Sequence, residues 1–389
     1  MNTKQKIYFV DQCLDKMGGI ERVINILANN LSDNNNVNVI SMTKNYDKSY
    51  FEYKKNINFY SLLDHRKNYS IRYGKKRKIF YYVNRIYEKI SDFLQSNKKI
   101  KEISKKFTKN DIIIFGRVEI ALKFLPYINN AKKIIVREAL HLYNHKKPHL
   151  LKKLFIEKVD CFIVSSDESI NTYNDFFNKK VNIVKIYNPI GIVPKISQKK
   201  SKNVISVGRY DLQKGYDVLI KAWKNVNLEY PEWKLKIMGA GYYKNNMEKL
   251  INENNLCDSI ELVPSSPDVV SELINSSIFV MASRIEGYAN ALVEAMACGL
   301  SCISFNWVMG VEDIIKDKEN GIIVKLEDPI KYMNYNYSSQ KDITSLSNAI
   351  IELIKDRDLM IKLGEEAKKI TESREIEKII SLWKKNIIS

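Results

Sequence analysis

The densest run of residues that could do chemistry is Ser283-Arg284-Ile285-Glu286-Gly287-Tyr288-Ala289-Asn290-Ala291-Leu292-Val293-Glu294-Ala295-Met296-Ala297-Cys298-Gly299. It follows an apolar, strand-like stretch, Ile278–Met281, and turns into a helical pattern near Ala289. A helix start presents unpaired backbone N–H groups and a positive dipole end, which together attract phosphate. Gly287 lets the backbone approach a ligand closely. Glu286 stands at the loop end of the strand, and Glu294 would lie roughly 12 Å along if the whole span were helical. That spacing is too wide for a close catalytic carboxylate pair but suits two contacts along one extended ligand. On spacing alone, two acids that merely stabilise a helix start explain the pattern equally well.

A second run has the same logic. Val207-Gly208-Arg209-Tyr210-Asp211-Leu212-Gln213-Lys214-Gly215 again places a glycine at the end of an apolar strand, then two cations, then a helix start. Arginine can hold a phosphate through two parallel hydrogen bonds, and lysine supplies a mobile point charge. The pair makes a diphosphate clamp plausible, although loop cations are common and this pattern alone is weak. Near the N-terminus, Gly18-Gly19 open a helical stretch, Ile20–Leu27.

The elements that must hold these residues follow from the apolar periodicity. Lys6–Val10 reads as a buried strand, followed by the Gly18 loop, a helix and a second strand, Val37–Met42. That order is a βαβ unit, whose parallel strands need a crossover of this length. Further strands are expected at Ile112–Phe115, Lys133–Val136 and Cys161–Ser165. Asn188-Pro189-Ile190-Gly191 and the polar run Ser197–Lys202 suit a linker. A second series then brings strands at Val204–Val207, Trp233–Met238 (ending at Gly239), Ser259–Val263, Ile278–Met281 and Ser301–Phe305. A helix is expected over Gly215–Trp223, a long one from near Ala289, and a helical tail over Ile370–Ser389. The expected fold is α/β: two Rossmann-like, doubly wound domains, 1–190 and 191–370, with a cleft between them and a helix at 371–389 that returns to the first.

Composition narrows the function. The chain has 389 residues, 45% hydrophobic and 28% charged, ordinary values for a globular protein of two domains. No stretch approaches the 18–20 or so apolar residues of a spanning helix, and Ile7–Val10 is too short for a signal-peptide core. Five cysteines, an odd number and scattered, favour reduced thiols in a cytoplasm. Cys298 and Cys302 lack companions to complete a metal set, so no metal is expected. The net charge of +18 is uneven: residues 1–200 carry 39 Lys+Arg against 18 Asp+Glu, and residues 51–150 carry 24 against 8. That half is built to meet something negative.

Taken together, the runs resemble retaining glycosyltransferases of family 4. Ser283–Val324 carries Glu286 and Glu294 with seven residues between them, with Gly299 closing the helix. Gly208-Arg209…Lys214-Gly215, Gly18-Gly19-Ile20-Glu21-Arg22-Val23, Tyr187-Asn188-Pro189-Ile190 and Lys318–Val324 stand where that family has corresponding elements. The resemblance implies a GT-B architecture with a nucleotide-sugar donor, a UDP-sugar by analogy, bound mainly by the second domain without a metal or other cofactor. Arg209 and Lys214 would neutralise the diphosphate leaving group. Glu286 would contact hydroxyls of the transferred sugar, and Glu294 those of the ribose. Backbone groups of Gly287, Tyr288, Ala289 and Asn290 would support sugar and phosphate, Gly208 and Gly239 would line the donor, and Gly18 and Gly19 would close over the diphosphate. His141 is carried over as a histidine of the loop after Lys133–Val136, with a shifted register; with His145 and His149 it also fits a solvated basic helix face. Asn306, Ser301 and Ser265-Ser266 depart from common family residues, which bears on base and sugar preference.

Arg72-Tyr73-Gly74-Lys75-Lys76-Arg77-Lys78-Ile79-Phe80-Tyr81-Tyr82 mixes cations with aromatics, as membrane-surface segments do. Residues 66–90 are expected to attach the protein to the anionic inner face of the cell membrane, where a lipid-linked or glycan acceptor would be met. No nucleic-acid-binding signature accompanies the basic charge. Expected, then, is a cytoplasmic, membrane-associated transferase of a hexose or N-acetylhexosamine. The alternatives are a UDP-sugar epimerase of the same fold, for which no acid–base set is evident, and an inactive scaffold subunit.

Overall fold

The computed structural model describes residues 4–66, 78–138, 148–191, 201–266, 268–307, 310–335 and 337–388, with the backbone alone at 78–90 and 148–150. Two compact units emerge. The first comprises residues 1–165, 169–189 and 377–389, the second 166–168 and 190–376.

The first unit is built on a seven-stranded parallel sheet. Its strands are β1 (Lys6–Asp11), β2 (Asn36–Lys44), β3 (Asn58–Asp64), β4 (Asp111–Phe115), β5 (Lys133–Arg137), β6 (Cys161–Val164) and β7 (Asn182–Lys185). Their order is β3-β2-β1-β4-β5-β6-β7. The second unit carries β8 (Asn203–Val207), β9 (Lys234–Gly239), β10 (Ile260–Pro264), β11 (Ile278–Met281), β12 (Ser301–Phe305) and β13 (Ile322–Val324), in the order β10-β9-β8-β11-β12-β13. Both sheets therefore reverse direction once, β1 beside β4 and β8 beside β11, as a Rossmann sheet does. The expected α/β class and doubly wound topology are those observed.

Strands inside each sheet are buried because both faces are covered. All five residues of β4 are buried, as are the four of β11 and the five of β12. Helix Gly19–Leu31 turns Val23, Ile24, Leu27, Ala28 and Leu31 inward at helical spacing. Helix Tyr216–Glu229 does the same with Val218, Leu219, Ala222, Trp223 and Val226. The helix expected to be long from Ala289 is short, Asn290–Ala297. Gly299, at φ 78°, ends it, with its N–H donating to Met296 O. Two strands without expectation from the sequence, β3 and β7, are half-exposed edges. Helix Ile376–Trp383 and the turn Lys384–Ile388 follow the second unit. There Ile379, Ile380, Trp383 and Ile387 are buried, and Lys133 Nζ donates to Ile387 O at 3.2 Å. Among the described residues no helix is long and apolar enough to cross a membrane.

Candidate active site

In an open α/β sheet, ligands bind outside the carboxyl ends of the strands, where the strand order reverses. In the second unit that point lies between β8 and β11. The two loops leaving these strands are the two runs singled out by chemistry, Gly208–Gly215 and Ala282–Ala289.

The first loop is shaped by backbone geometry. Gly208 N donates to Met238 O, which ties the end of β8 to β9. Gly239, at the end of β9, faces the Gly208 carbonyl so closely that a Cβ there would lie 1.9 Å from its oxygen. Packing of one loop on the next thus requires a glycine at 239, independently of any ligand. Arg209 projects outward, 68% exposed, with Nη2 3.1 Å from Asp211 Oδ2. A single turn, Leu212–Lys214, ends at Gly215 (φ 64°), which starts helix Tyr216–Glu229.

Lys214 turns toward the second loop. Its Nζ donates to Glu286 Oε1 at 2.7 Å, with the two side chains 15% and 8% exposed. Arg284, two residues before Glu286, is fully buried. Its Nη1 and Nη2 grip both oxygens of Asp217 at 2.8 and 2.7 Å. Burial works against its charge, and the Asp217 carboxylate more than offsets this, leaving Arg284 above its ordinary value.

Beyond Glu286 the chain is not helical through Ala289, and the helix begins at Asn290, whose N–H donates to Tyr288 O in a tight turn about Ala289. Tyr288 Oη accepts from Arg374 Nε at 2.9 Å, and Arg374 also donates to Asp313 O. Ala289 and Glu294 are buried. The β8–β11 reversal thus brings Gly208, Arg209, Lys214, Glu286, Gly287, Tyr288, Ala289 and Asn290 to the same end of one sheet. An exposed guanidinium, a lysine and carboxylate in contact, and a helix start are the groups that a phosphorylated, hydroxyl-rich ligand would engage.

Comparison with known proteins decides the class. Residues 192–370 match the family described as Glycosyl transferases group 1. Along nearly its whole length the chain is 27% identical to an uncharacterised glycosyltransferase of Haemophilus influenzae, over 387 residues covering 98% of this chain and 99% of that one. The chain is a GT-B glycosyltransferase. It is also 28% identical over 195 residues, 48% of this chain and 52% of the other, to N-acetylgalactosamine-N,N'-diacetylbacillosaminyl-diphospho-undecaprenol 4-alpha-N-acetylgalactosaminyltransferase of Campylobacter jejuni. Its fold matches that of Anabaena Alr3699/HepE, solved in complex with UDP and glucose, at a TM-score of 0.72 and 13% identity, covering 99% of both chains.

The first unit of this glycosyltransferase carries its own polar cluster at the corresponding reversal, between β1 and β4. Gly18 and Gly19 open helix Gly19–Leu31 there, and Glu21, in the helix's first turn, is buried. Arg117, just past β4, lies 3.3 Å from Asp11 Oδ1 through Nε and 2.7 Å from Glu21 Oε1 through Nη2. Asp11 is fully buried, and its Oδ2 has no hydrogen-bond partner among the described residues. Burial pushes its carboxyl up to about 6, against the opposing pull of Arg117. Arg117, Arg284 and Asp217 carry no role in the expectations drawn from the sequence. Arg117 could have been found, since Phe115-Gly116-Arg117 repeats the strand–Gly–Arg pattern of Val207-Gly208-Arg209.

His141 lies outside the described residues, as do most of residues 66–77 of the basic segment. Among the described residues, no group of three or more His, Cys, Asp or Glu side chains is placed to hold a metal ion.

Proposed function

We propose that this glycosyltransferase is a retaining enzyme of family-4 type that moves a hexose or N-acetylhexosamine from a UDP-sugar to a lipid-linked or polysaccharide acceptor. The observation that carries this reading is the meeting of Lys214 with Glu286 at the β8–β11 reversal, with Arg209 exposed in the same loop as Lys214. As the glycosidic bond breaks, negative charge grows on the departing diphosphate. Fixed cations placed there lower the barrier without having to reorganise. Arg209 and Lys214 serve that charge, Glu286 holds hydroxyls of the transferred sugar, and Glu294 holds the ribose. The new bond forms on the face that the leaving group departs from, so the anomeric configuration is kept. The UDP preference is supported by the complex of the HepE fold relative, and the lipid-linked acceptor by the name of the Campylobacter relative. The basic segment 66–90 would hold the protein at an anionic cytoplasmic membrane face. No metal enters this scheme, and transfer should persist in EDTA.

The test is the thermal stability of the purified protein with UDP, GDP, ADP and CMP, beside Arg209→Ala and Lys214→Ala. A nucleotide at one hundred times its dissociation constant stabilises the native state by about 2.7 kcal/mol. A shift with UDP that both variants lose supports the donor site. A shift with another nucleotide alone would replace UDP in the reading, and no shift with any at millimolar concentration would overturn it. Unimpaired transfer by Glu286→Ala would remove Glu286 from the site.

A further inference from the structure

Arg284 is buried beyond what stability alone explains. A fully enclosed guanidinium loses its hydration, and a buried ion pair is often no more stabilising than apolar residues of the same volume. What Arg284 does accomplish is geometric. Nη1 donates to Leu212 O at 2.7 Å and to Asp217 Oδ1, while Nη2 donates to Asp217 Oδ2 and to Tyr337 O at 3.2 Å. The guanidinium also lies over the Tyr332 ring, 5.1 Å from its centroid, and Tyr332 Oη donates to Ala282 O at 2.8 Å. The backbone repeats the tie: Arg284 N donates to Gln213 O at 2.7 Å, and Gln213 Nε2 to Ile285 O at 2.9 Å. Five hydrogen bonds thus join residues 212–217 to residues 284–285, immediately beside the Lys214–Glu286 contact.

We propose that Arg284, with Asp217 and Gln213, is a positioning residue for the transfer reaction: it locks the turn bearing Lys214 and the loop bearing Glu286 into one rigid body. The inference rests on the reading that Lys214 and Glu286 meet the donor. Arginine is required because its planar fork can grip both Asp217 oxygens and still reach two carbonyls, whereas the lysine ammonium is a single point charge. Neither Arg284 nor Gln213 needs to touch the donor, and each acts through the residue it holds in place.

The test uses Arg284→Lys and, in case that variant folds poorly, Gln213→Ala, which removes one side-chain hydrogen bond from a half-buried turn. Each should lower kcat/KM by about 10- to 100-fold, the cost of misplacing a catalytic group by an ångström or less. The discriminating measurement is nucleotide affinity by titration calorimetry in four proteins: wild type, Lys214→Ala, Gln213→Ala and the double variant. If Gln213 acts through Lys214, both single variants weaken UDP binding, and the double variant binds no more than about twofold more weakly than Lys214→Ala. Losses that multiply, or a Gln213→Ala protein with wild-type kcat/KM, would overturn the positioning role while leaving the donor site intact. A Lys214→Ala protein that binds UDP like wild type would instead sink the donor-site reading, and the positioning role with it.

Discussion

Lys214 Nζ and Glu286 Oε1 lie 2.7 Å apart in the loops that leave the carboxyl ends of β8 and β11, a contact between the cation proposed to meet a diphosphate and the carboxylate proposed to meet a sugar. Each group satisfies the other while largely withdrawn from water. A donor entering here must share these groups or separate them, and its own charges and hydroxyls are of the kinds that can do so.

Removing one partner should therefore cost stability as well as activity. Lys214→Met leaves Glu286 enclosed without its cation, and denaturant unfolding at pH 7 should show a loss of about 1–3 kcal/mol. The double variant Lys214→Met/Glu286→Leu should regain part of it, because no lone charge remains. Transfer should be lost in both. A double variant less stable than the single would mean that the pair does not carry this energy.

The Asp11 carboxyl predicts a pH dependence in the first unit. Its ordinary value of 3.8 rises to about 6 in the folded state because the group is buried. The folded protein then holds this proton more tightly than the unfolded chain does. Ionisation costs nothing below about pH 3.8 and the full amount above about pH 6. Between pH 4 and 7, wild type should lose stability relative to Asp11→Asn by about 2–3 kcal/mol. A difference that stays flat across this range would mean that Arg117 keeps Asp11 ionised throughout.

Gly215 stands at φ 64°, and a Cβ there would lie 1.9 Å from Ala282 O. Gly215→Ala pays about 1 kcal/mol for the left-handed backbone and more for pushing the Lys214 turn off the end of β11. A total above about 2 kcal/mol is expected in thermal melts, with nucleotide affinity falling in parallel. Unchanged affinity in a destabilised protein would separate the turn from the site.

Membrane attachment is checked with vesicles. Replacing Lys75, Lys76, Arg77 and Lys78 with Gln should cut partitioning onto anionic vesicles more than about 100-fold, at about 1 kcal/mol per charge. Sedimentation with neutral and anionic vesicles alike, or no change in the variant, would rule out this segment as the anchor.

How much of this was legible in the sequence depended on whether a feature was local. β4, β8 and β11 were readable because a strand covered on both faces is apolar through most of its length. β3 and β7, at the sheet edges, are bounded by polar residues and only partly buried, so their apolar runs are short. Arg209, Lys214 and Glu286 stood out because each lies in the loop that leaves such a strand. The partnership of Arg284 with Asp217 spans 67 residues, and that of Arg117 with Glu21 spans 96. Only the folded sheet, by setting β8 beside β11 and β1 beside β4, brings those residues together.

The placement of residues 377–388 with the first unit also has a bearing on biogenesis. During translation, residues 190–376 emerge as one continuous block and can assemble without waiting for later residues. The first unit, although its strands are made first, stays incomplete until Ile379, Trp383 and Ile387 have left the ribosome. The usual N-terminal-first order is thus reversed for completion. A chain truncated before residue 377 would keep all of the second unit and leave the first unit with bare apolar surface, a target for chaperones.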